Sequence, residues 1–384
     1  DRAGRKRMLL LAAVLFAVSS VGSALARNLT EFSLLRMMGG LGIGSASMLS
    51  PLYISEIAPA RIRGRLVSLN QFAIIFGMLL VYFVNAYVAR KGEFIGGEAW
   101  NVAYGWRWMF GSAALPSVLF FVLLFFVPES PRWLLKQGRG EEALRVLTAV
   151  GGPDHARLEM AEITNTVAHE DRSVGQLLRP GMRVALVIGI VLAVLQQVTG
   201  LNVVLYYAPE IFKSAGLGAT QAIDQTVAVG AVNLAFTVVA ILVVDRLGRK
   251  PLLLLASACM GISLTLLGGA FAMDQLKGPW VLLFTLAYVA SFAVAMGPVV
   301  WVVLAEIFPT RIRGTAMSLA TVCLWVACFL VSQTFPWLLE QFEGKSFFLY
   351  AVMCVISFVF VALVVPETKG KTLEEIESYW TASS

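Results

Sequence analysis

The sequence predicts an all-α membrane protein built from two homologous halves, and three observations carry that prediction. Its composition is 58% hydrophobic and only 14% charged, with a mean hydropathy of +0.78, far from the balance of a soluble domain. Apolar runs of about 20 residues, the length a helix needs to cross a bilayer, recur between short polar breaks. Finally, three charged motifs are each written twice along the chain.

Ten apolar runs follow in order: 8–26, 32–54, 66–89, 108–127, 184–207, 226–244, 251–272, 279–304, 315–339 and 347–365. The first is too long, and too plainly one of a series, for a cleaved signal peptide. Strict in-out alternation is missing, which argues against a β-barrel. Residues 131–183 are charged and contain helix-forming stretches such as GEEALRVLTAV at 140–150. SPRWLL at 130–135 opens the first of these helices, with Pro131 in its first turn. The chain is therefore expected to divide into an N-terminal half (1–130), a cytoplasmic linker with short helices (131–183), a C-terminal half (184–365) and a cytoplasmic tail (366–384). The TKGKTLEEIESYW stretch at 368–380 reads as one more short helix.

A net charge of +6 raises the question of a nucleic-acid partner, and its placement answers in favour of topology. With residue 1 in the cytoplasm, the segments 1–7, 56–65, 131–183, 245–250, 305–313 and 366–384 hold 22 of the 30 Lys and Arg. The outer side keeps seven, Arg27, Arg90, Lys91, Arg107, Lys213, Lys277 and Lys345, and Arg36 lies within a run. Such a positive-inside bias puts both ends in the cytoplasm. Cys259, Cys323, Cys328 and Cys354 all fall in apolar runs without CxxC spacing and read as packing residues, not as disulfides or metal ligands. His155 and His169 both belong to the linker, which leaves a buried His-based catalytic centre without material, and no nucleophile–base pair is visible. Neither an enzyme nor a cofactor is implied. NLT at Asn28 matches a glycosylation acceptor, but so close to the membrane it reads as a chance match.

The repeats give the organisation. DRAGRKR (1–7) returns as DRLGRKP (245–251), SEIAPARIRG (55–64) as AEIFPTRIRG (305–314), and VPESPR (127–132) as VPETKG (365–370), at offsets of 244, 250 and 238 residues. In the second half two apolar runs, 184–207 and 226–244, precede the heptad, and none precedes the first heptad. The expectation is a chain lacking its first two helices, from an architecture of two six-helix halves.

The repeated motifs also gather acids and bases at one membrane face. Asp1, Arg5, Glu56, Arg63 and Glu129 belong to one half, and Asp245, Arg249, Glu306, Arg313 and Glu367 to the other. Topology explains the bases but asks for no acids, so the set reads as an inner ion-pair network that latches one conformation and releases in another. In LLRMMGGLGIGSASMLSP (34–51), Arg36, Gly40 and Gly44 recur every fourth residue, a spacing at which small residues let helices approach closely. Arg36, about 6 Å into its helix, either snorkels to the outer surface or pairs with a carboxylate. No central Asp or Glu occurs in the ten runs, so any carboxylate partner is expected in the missing helices.

The richest polar stretch within a run is LQQVTGLNVVLYYAPEIF at 195–212. Gln196, Asn202 and Tyr206 share an arc of about 120° on a helix, with Gln197 on the other side. A break near Thr199 and Gly200 would let all four converge, and interrupted helices are where transporters often bind solutes. Uncharged amides and phenols suit a neutral polyhydroxyl ligand better than an ion; the plainer reading is hydrogen bonding between helices. Gln71, Asn233, Trp301 after the Gly297–Pro298 break, and Trp325 are further candidates for lining a midplane cavity.

These motifs, taken with PETKGKTLEE, resemble the signature set of the sugar porter family of the major facilitator superfamily, across the whole chain. ASMLSPLYISEIAPARIRG, SLNQFAIIFGMLLVYFVN and QQVTGLNVVLYYAPEIF look most like its bacterial D-xylose–proton symporters. The resemblance implies a twelve-helix major facilitator fold, of which ten spans are present, in a bacterial inner membrane. It also implies sugar contacts from Gln71, Gln196, Gln197, Asn202, Tyr206, Asn233, Trp301 and Trp325, and a role for Arg36 in proton coupling. The chain departs from the pattern at Leu324, where an amide is usual, and at Cys328, where Asn is usual, so the sugar stays open. The expected function is proton-coupled symport of D-xylose or a related sugar by alternating access. Its partners would be a monosaccharide, a proton and the bilayer, in a monomer without metal; a uniporter or a sugar sensor are the alternatives.

Overall fold

The computed structural model describes residues 4–58, 60–168, 180–273, 279–308 and 313–369, and every regular element among them is helical. Asp1 and the tail helix expected from residue 370 onward lie outside the described residues, as do the side chains of Arg63, Asp245 and Arg313. Two compact units divide the chain, Asp1–Glu170 and Asp171–Ser384.

In the first unit, α1 (Arg5–Leu25) and α2 (Leu29–Ile57) form a hairpin. Its turn is fixed by Asn28, whose side chain accepts from Glu31 N at 2.8 Å while the Glu31 carboxylate accepts from Arg27 N at 2.9 Å. The NLT sequence thus serves as a helix N-cap, worth about 1 kcal/mol. Small residues set the α1–α2 contact: a Cβ on Gly39 would stand 2.4 Å from Ser19 Oγ, and one on Gly42 would stand 3.2 Å from the Ala12 carbonyl. Gly40 and Gly44 meet nothing within 4 Å among the described residues. The close approach expected of Gly40 and Gly44 therefore belongs to Gly39 and Gly42, because the face of α2 bearing Gly40 and Gly44 turns away from α1.

α3 (Ala60–Trp100) runs unbroken to Gly96 and Gly97, whose φ values of −155° and +69° interrupt it. A π-helical turn (Asn101–Gly105), α4 (Trp106–Ser112) and α5 (Ala114–Phe125) follow. α1 packs on α2, α4 and α5, around Leu9, Ala13 and Leu124. Beyond α5, Ser130 caps α6 (Pro131–Lys136), its hydroxyl accepting from Trp133 N at 3.3 Å with Pro131 in the first turn. α7 (Gly140–Gly151) and α8 (Pro153–Ala168) close on α6 over Trp133, Leu134 and Ala143.

The second unit runs through α9 (Pro180–Val198), α10 (Leu201–Ser214), α11 (Ala219–Leu247) and α12 (Arg249–Ala272). It continues with α13 (Trp280–Ser291), a π-helical segment (Phe292–Met296), α14 (Gly297–Ile307), α15 (Arg313–Phe342) and α16 (Phe347–Leu363). α12 lies against α13 and α16, and α15 against α9. Leu253, Met260, Leu264, Tyr288 and Val299 fill the interior, none more than 1% exposed.

Seven stretches among the described residues are long and apolar enough to cross a membrane. Two of them, Leu69–Phe125 at 57 residues and Gly314–Leu363 at 50, exceed the length of one passage and contain two of the expected runs each. α2 is not among the seven, because its glycines, serines and Arg36 dilute its apolarity. Outward faces carry large apolar side chains such as Leu41, Phe126, Ile262 and Leu363, the reverse of a soluble surface.

Candidate functional site

The acids and bases of the repeated motifs meet in the same way in each unit. In the first, Arg5 forks onto Glu56, Nε to Oε2 and Nη2 to Oε1, both at 3.0 Å, with the two side chains 6% and 4% exposed. Glu129 caps α1 from a distance of more than a hundred residues, accepting from Arg5 N at 2.9 Å and Lys6 N at 3.1 Å. In the second, Arg249 forks onto Glu306 at 3.3 and 3.0 Å, and Glu367 accepts from Arg249 N at 3.1 Å and Lys250 N at 3.0 Å. So dry a pair as Arg5–Glu56 holds because both charges are present; removing one partner of a buried pair costs about 3–5 kcal/mol.

Two hydroxyls complete these networks that the motifs did not announce. Ser130 Oγ donates to Glu56 Oε2 and Thr368 Oγ1 to Glu306 Oε2, each at 2.5 Å. Their signal was in plain view, since both directly follow the glutamate of the PE-Ser and PE-Thr repeats. The glycines of the heptads have the same logic. Gly4 and Gly248 sit at φ +86° and +94°, and a Cβ there would come within 2.5 Å of Glu129 Oε2 and 2.9 Å of Glu367 Oε2. Burial pushes the Glu367 carboxyl up, but the backbone N–H groups of Lys369, Arg249, Lys250 and Thr368 outweigh it and hold the group below its ordinary 4.5.

Arg36 stands in the first unit with its guanidinium 5.1 Å from the centre of the Phe110 ring, a cation–π distance. Phe32 packs edge-on against that ring at 5.1 Å. No carboxylate bridges Arg36 among the described residues. Gln71 is half-buried on α3 of the same unit.

In the second unit the helix breaks where the sequence places a break. Gly200, at φ +95°, ends α9 and starts α10, and Tyr350 presses so close that a Cβ would lie 2.8 Å from its ring. The Thr199 carbonyl left free by the break accepts from Tyr288 OH at 2.9 Å. Around it the amides form a chain. Gln196 Nε2 donates to the carbonyls of Met296 and Gly297 at 2.8 and 3.1 Å, on the π-helical segment and its exit. Gln197 Nε2 donates to Gln196 Oε1 at 3.4 Å, and Asn202 Nδ2 donates to Gln197 Oε1 at 2.6 Å and to Cys328 Sγ at 3.2 Å.

Of the other candidates, Asn233 is buried, its carbonyl accepting from Thr237 Oγ1 at 2.7 Å. Trp301 is half-buried, whereas Tyr206 and Trp325 are 54% and 37% exposed. The structure thus joins Gln196, Gln197 and Asn202 and adds Tyr288, Thr199 and the carbonyls of Met296 and Gly297. Those carbonyls are not readable from residue type, because every residue carries one.

The arrangement is a set of uncharged donors and acceptors beside a broken apolar helix, which fits a neutral hydroxylated solute. Known proteins bear on this directly. The chain is 47% identical to the D-xylose-proton symporter of Escherichia coli (strain K12) over 405 residues, covering 99% of this chain and 81% of that protein. It is 44% identical to the arabinose-proton symporter of Bacillus subtilis (strain 168) over 382 residues, covering 99% and 82%. The inward-open structure of the xylose transporter from E. coli superposes with a TM-score of 0.86 at 45% identity, covering 99% of this chain and 84% of that one. The family model described as sugar (and other) transporter matches residues 1–380. With the duplicated motifs, the helical fold and these matches in agreement, the chain belongs to the sugar transporter family of the major facilitator superfamily.

Proposed function

We propose that the protein is a proton-coupled symporter of a neutral monosaccharide, D-xylose or a related pentose or hexose, working by alternating access. The observation that carries the reading is the chain of amides Gln196, Gln197 and Asn202 at the α9–α10 break, in a protein whose relatives include D-xylose-proton and arabinose-proton symporters. Gln71, Tyr206, Asn233, Trp301 and Trp325 complete the sugar site in this reading, and Arg36 answers to the coupling proton. The paired networks around Arg5 and Arg249, with Asp1, Arg63, Asp245 and Arg313 as their further members, act as the inner latch that opens as sugar is released. The protein is a monomer in the bacterial inner membrane, with the ends of this chain and its 131–183 linker in the cytoplasm.

The test uses the protein expressed from its complete reading frame, in de-energised cells in weak buffer. External pH is followed as D-xylose and then D-glucose are added. Alkalinisation is expected with a transported sugar. One observation favours a uniporter as second reading: the relatives include the glucose facilitated diffusion protein of Zymomonas mobilis, 38% identical over 395 residues. Radiolabelled sugar entry with a flat pH trace would select it, and no entry would sink both.

A further inference from the structure

The amide cluster of the second unit can be followed proton by proton, and the account ends on a thiol. Each side-chain amide offers two N–H donors. Gln196 uses both on the carbonyls of Met296 and Gly297. Asn202 uses one on Gln197 Oε1 at 2.6 Å and the other on Cys328 Sγ at 3.2 Å, and Gln197 uses one on Gln196 Oε1. What remains for a solute is one N–H of Gln197, a second lone pair on Gln196 Oε1 and on Gln197 Oε1, and the carbonyl oxygen of Asn202. That oxygen has a fixed direction because both protons of its amide are held. Cys328 is 5% exposed and Leu324, one turn earlier on the same face of α15, is 3% exposed. Neither brings a strong donor or acceptor to this wall.

We propose that Cys328 is a positioning residue that sets sugar selectivity. Its sulfur accepts the second amide proton of Asn202 and so keeps the Asn202 oxygen as an acceptor for a sugar hydroxyl. With Leu324 it also makes the adjoining wall apolar, so the site favours a sugar that offers one hydroxyl to Asn202 and a C–H face to α15. The inference rests on the reading of Gln196, Gln197 and Asn202 as sugar ligands.

Initial rates of D-xylose uptake by the protein from its complete reading frame separate the two claims. Cys328→Ser keeps an acceptor and Cys328→Ala removes it, while their volumes are nearly equal. Serine is expected to hold KM within about twofold, and alanine to raise it about fivefold at unchanged kcat, the effect of one lost hydrogen bond. Equal KM values for the two variants, with KM strongly raised by Asn202→Ala, would overturn the positioning role and leave the sugar site standing. Unchanged KM in Asn202→Ala, or no D-xylose uptake by the unaltered protein, would count against the site itself. Competition by the monodeoxy-D-xyloses adds a readout that packing alone would not move. One deoxy position is expected to lose affinity most in the unaltered protein, and that penalty should shrink in Cys328→Ala; the same penalty in both would refute the proposal.

Discussion

At the scale of single residues, the two heptad glycines show how a backbone conformation and a charge can demand the same residue. Gly248 holds φ +94° and ψ 162°, which only glycine adopts without strain, and its missing side chain leaves the space where the Glu367 carboxylate reaches the start of α12. Gly248→Ala is expected to destabilise the protein by about 1–3 kcal/mol, read as a lowered Tm in detergent, and Gly4→Ala should do the same. The residues with chemistry were legible at this scale when their type was rare in a membrane. Gln196, Gln197, Asn202, Arg5 and Glu56 stand out against an apolar background, and the structure gives each a named partner. Ser130 and Thr368 were not singled out, because small hydroxyls are common within helical proteins and only their neighbours reveal their bonds. Gln196 carries a further lesson: its amide holds the π-helical segment through two carbonyls, so it supports the fold as well as facing the amide chain.

Among the elements, the helix starts are the informative places. Both α1 and α12 begin with N–H groups that lack partners within the helix, and a glutamate more than a hundred residues away supplies them. A carboxylate at that end also meets the positive pole of the helix. Because the Glu367 pKa is held below its ordinary value, its contribution to stability is complete above pH 4.5 and is lost as pH falls through the lowered value. Thermal unfolding across pH 3–6 should therefore show a steeper acid loss of Tm in the unaltered protein than in Glu367→Gln; parallel curves would contradict this account. Elements were the most legible level in the sequence. Each of the ten apolar runs coincides with helix, but the run at 184–207 is split by Gly200, and that at 279–304 contains a π-helical segment. Length and hydropathy report burial in a membrane, and neither registers where a carbonyl slips by one residue.

For the molecule as a whole, duplication is the dominant fact. The described ion pairs of Arg5 and Arg249, with Glu56 and Glu306, each lie within one compact unit. Losses of stability in Arg5→Ala and Arg249→Ala are therefore expected to add in the double variant, within about 0.5 kcal/mol. Chemical or thermal unfolding of all four proteins in one detergent would measure this. The first substitution should cost more, because Arg5 and Glu56 are drier than Arg249 and Glu306, at 13% and 25% exposure. Fold class and family were legible because three motifs recur at nearly constant offsets over the chain. The contact face of α2 was not, since Gly39, Gly40, Gly42 and Gly44 look alike in sequence and only packing tells which of them meet α1.

The interruption at Gly200 has a consequence for what the break leaves open. The carbonyls at the end of α9 are already taken, that of Gln196 by Thr199 Oγ1, that of Gln197 by Gly200 N and that of Thr199 by Tyr288 OH. The polar groups that the break gathers beside them are side-chain amides, which carry no charge. A solute is met there by groups that answer to hydroxyls and have no net charge to neutralise.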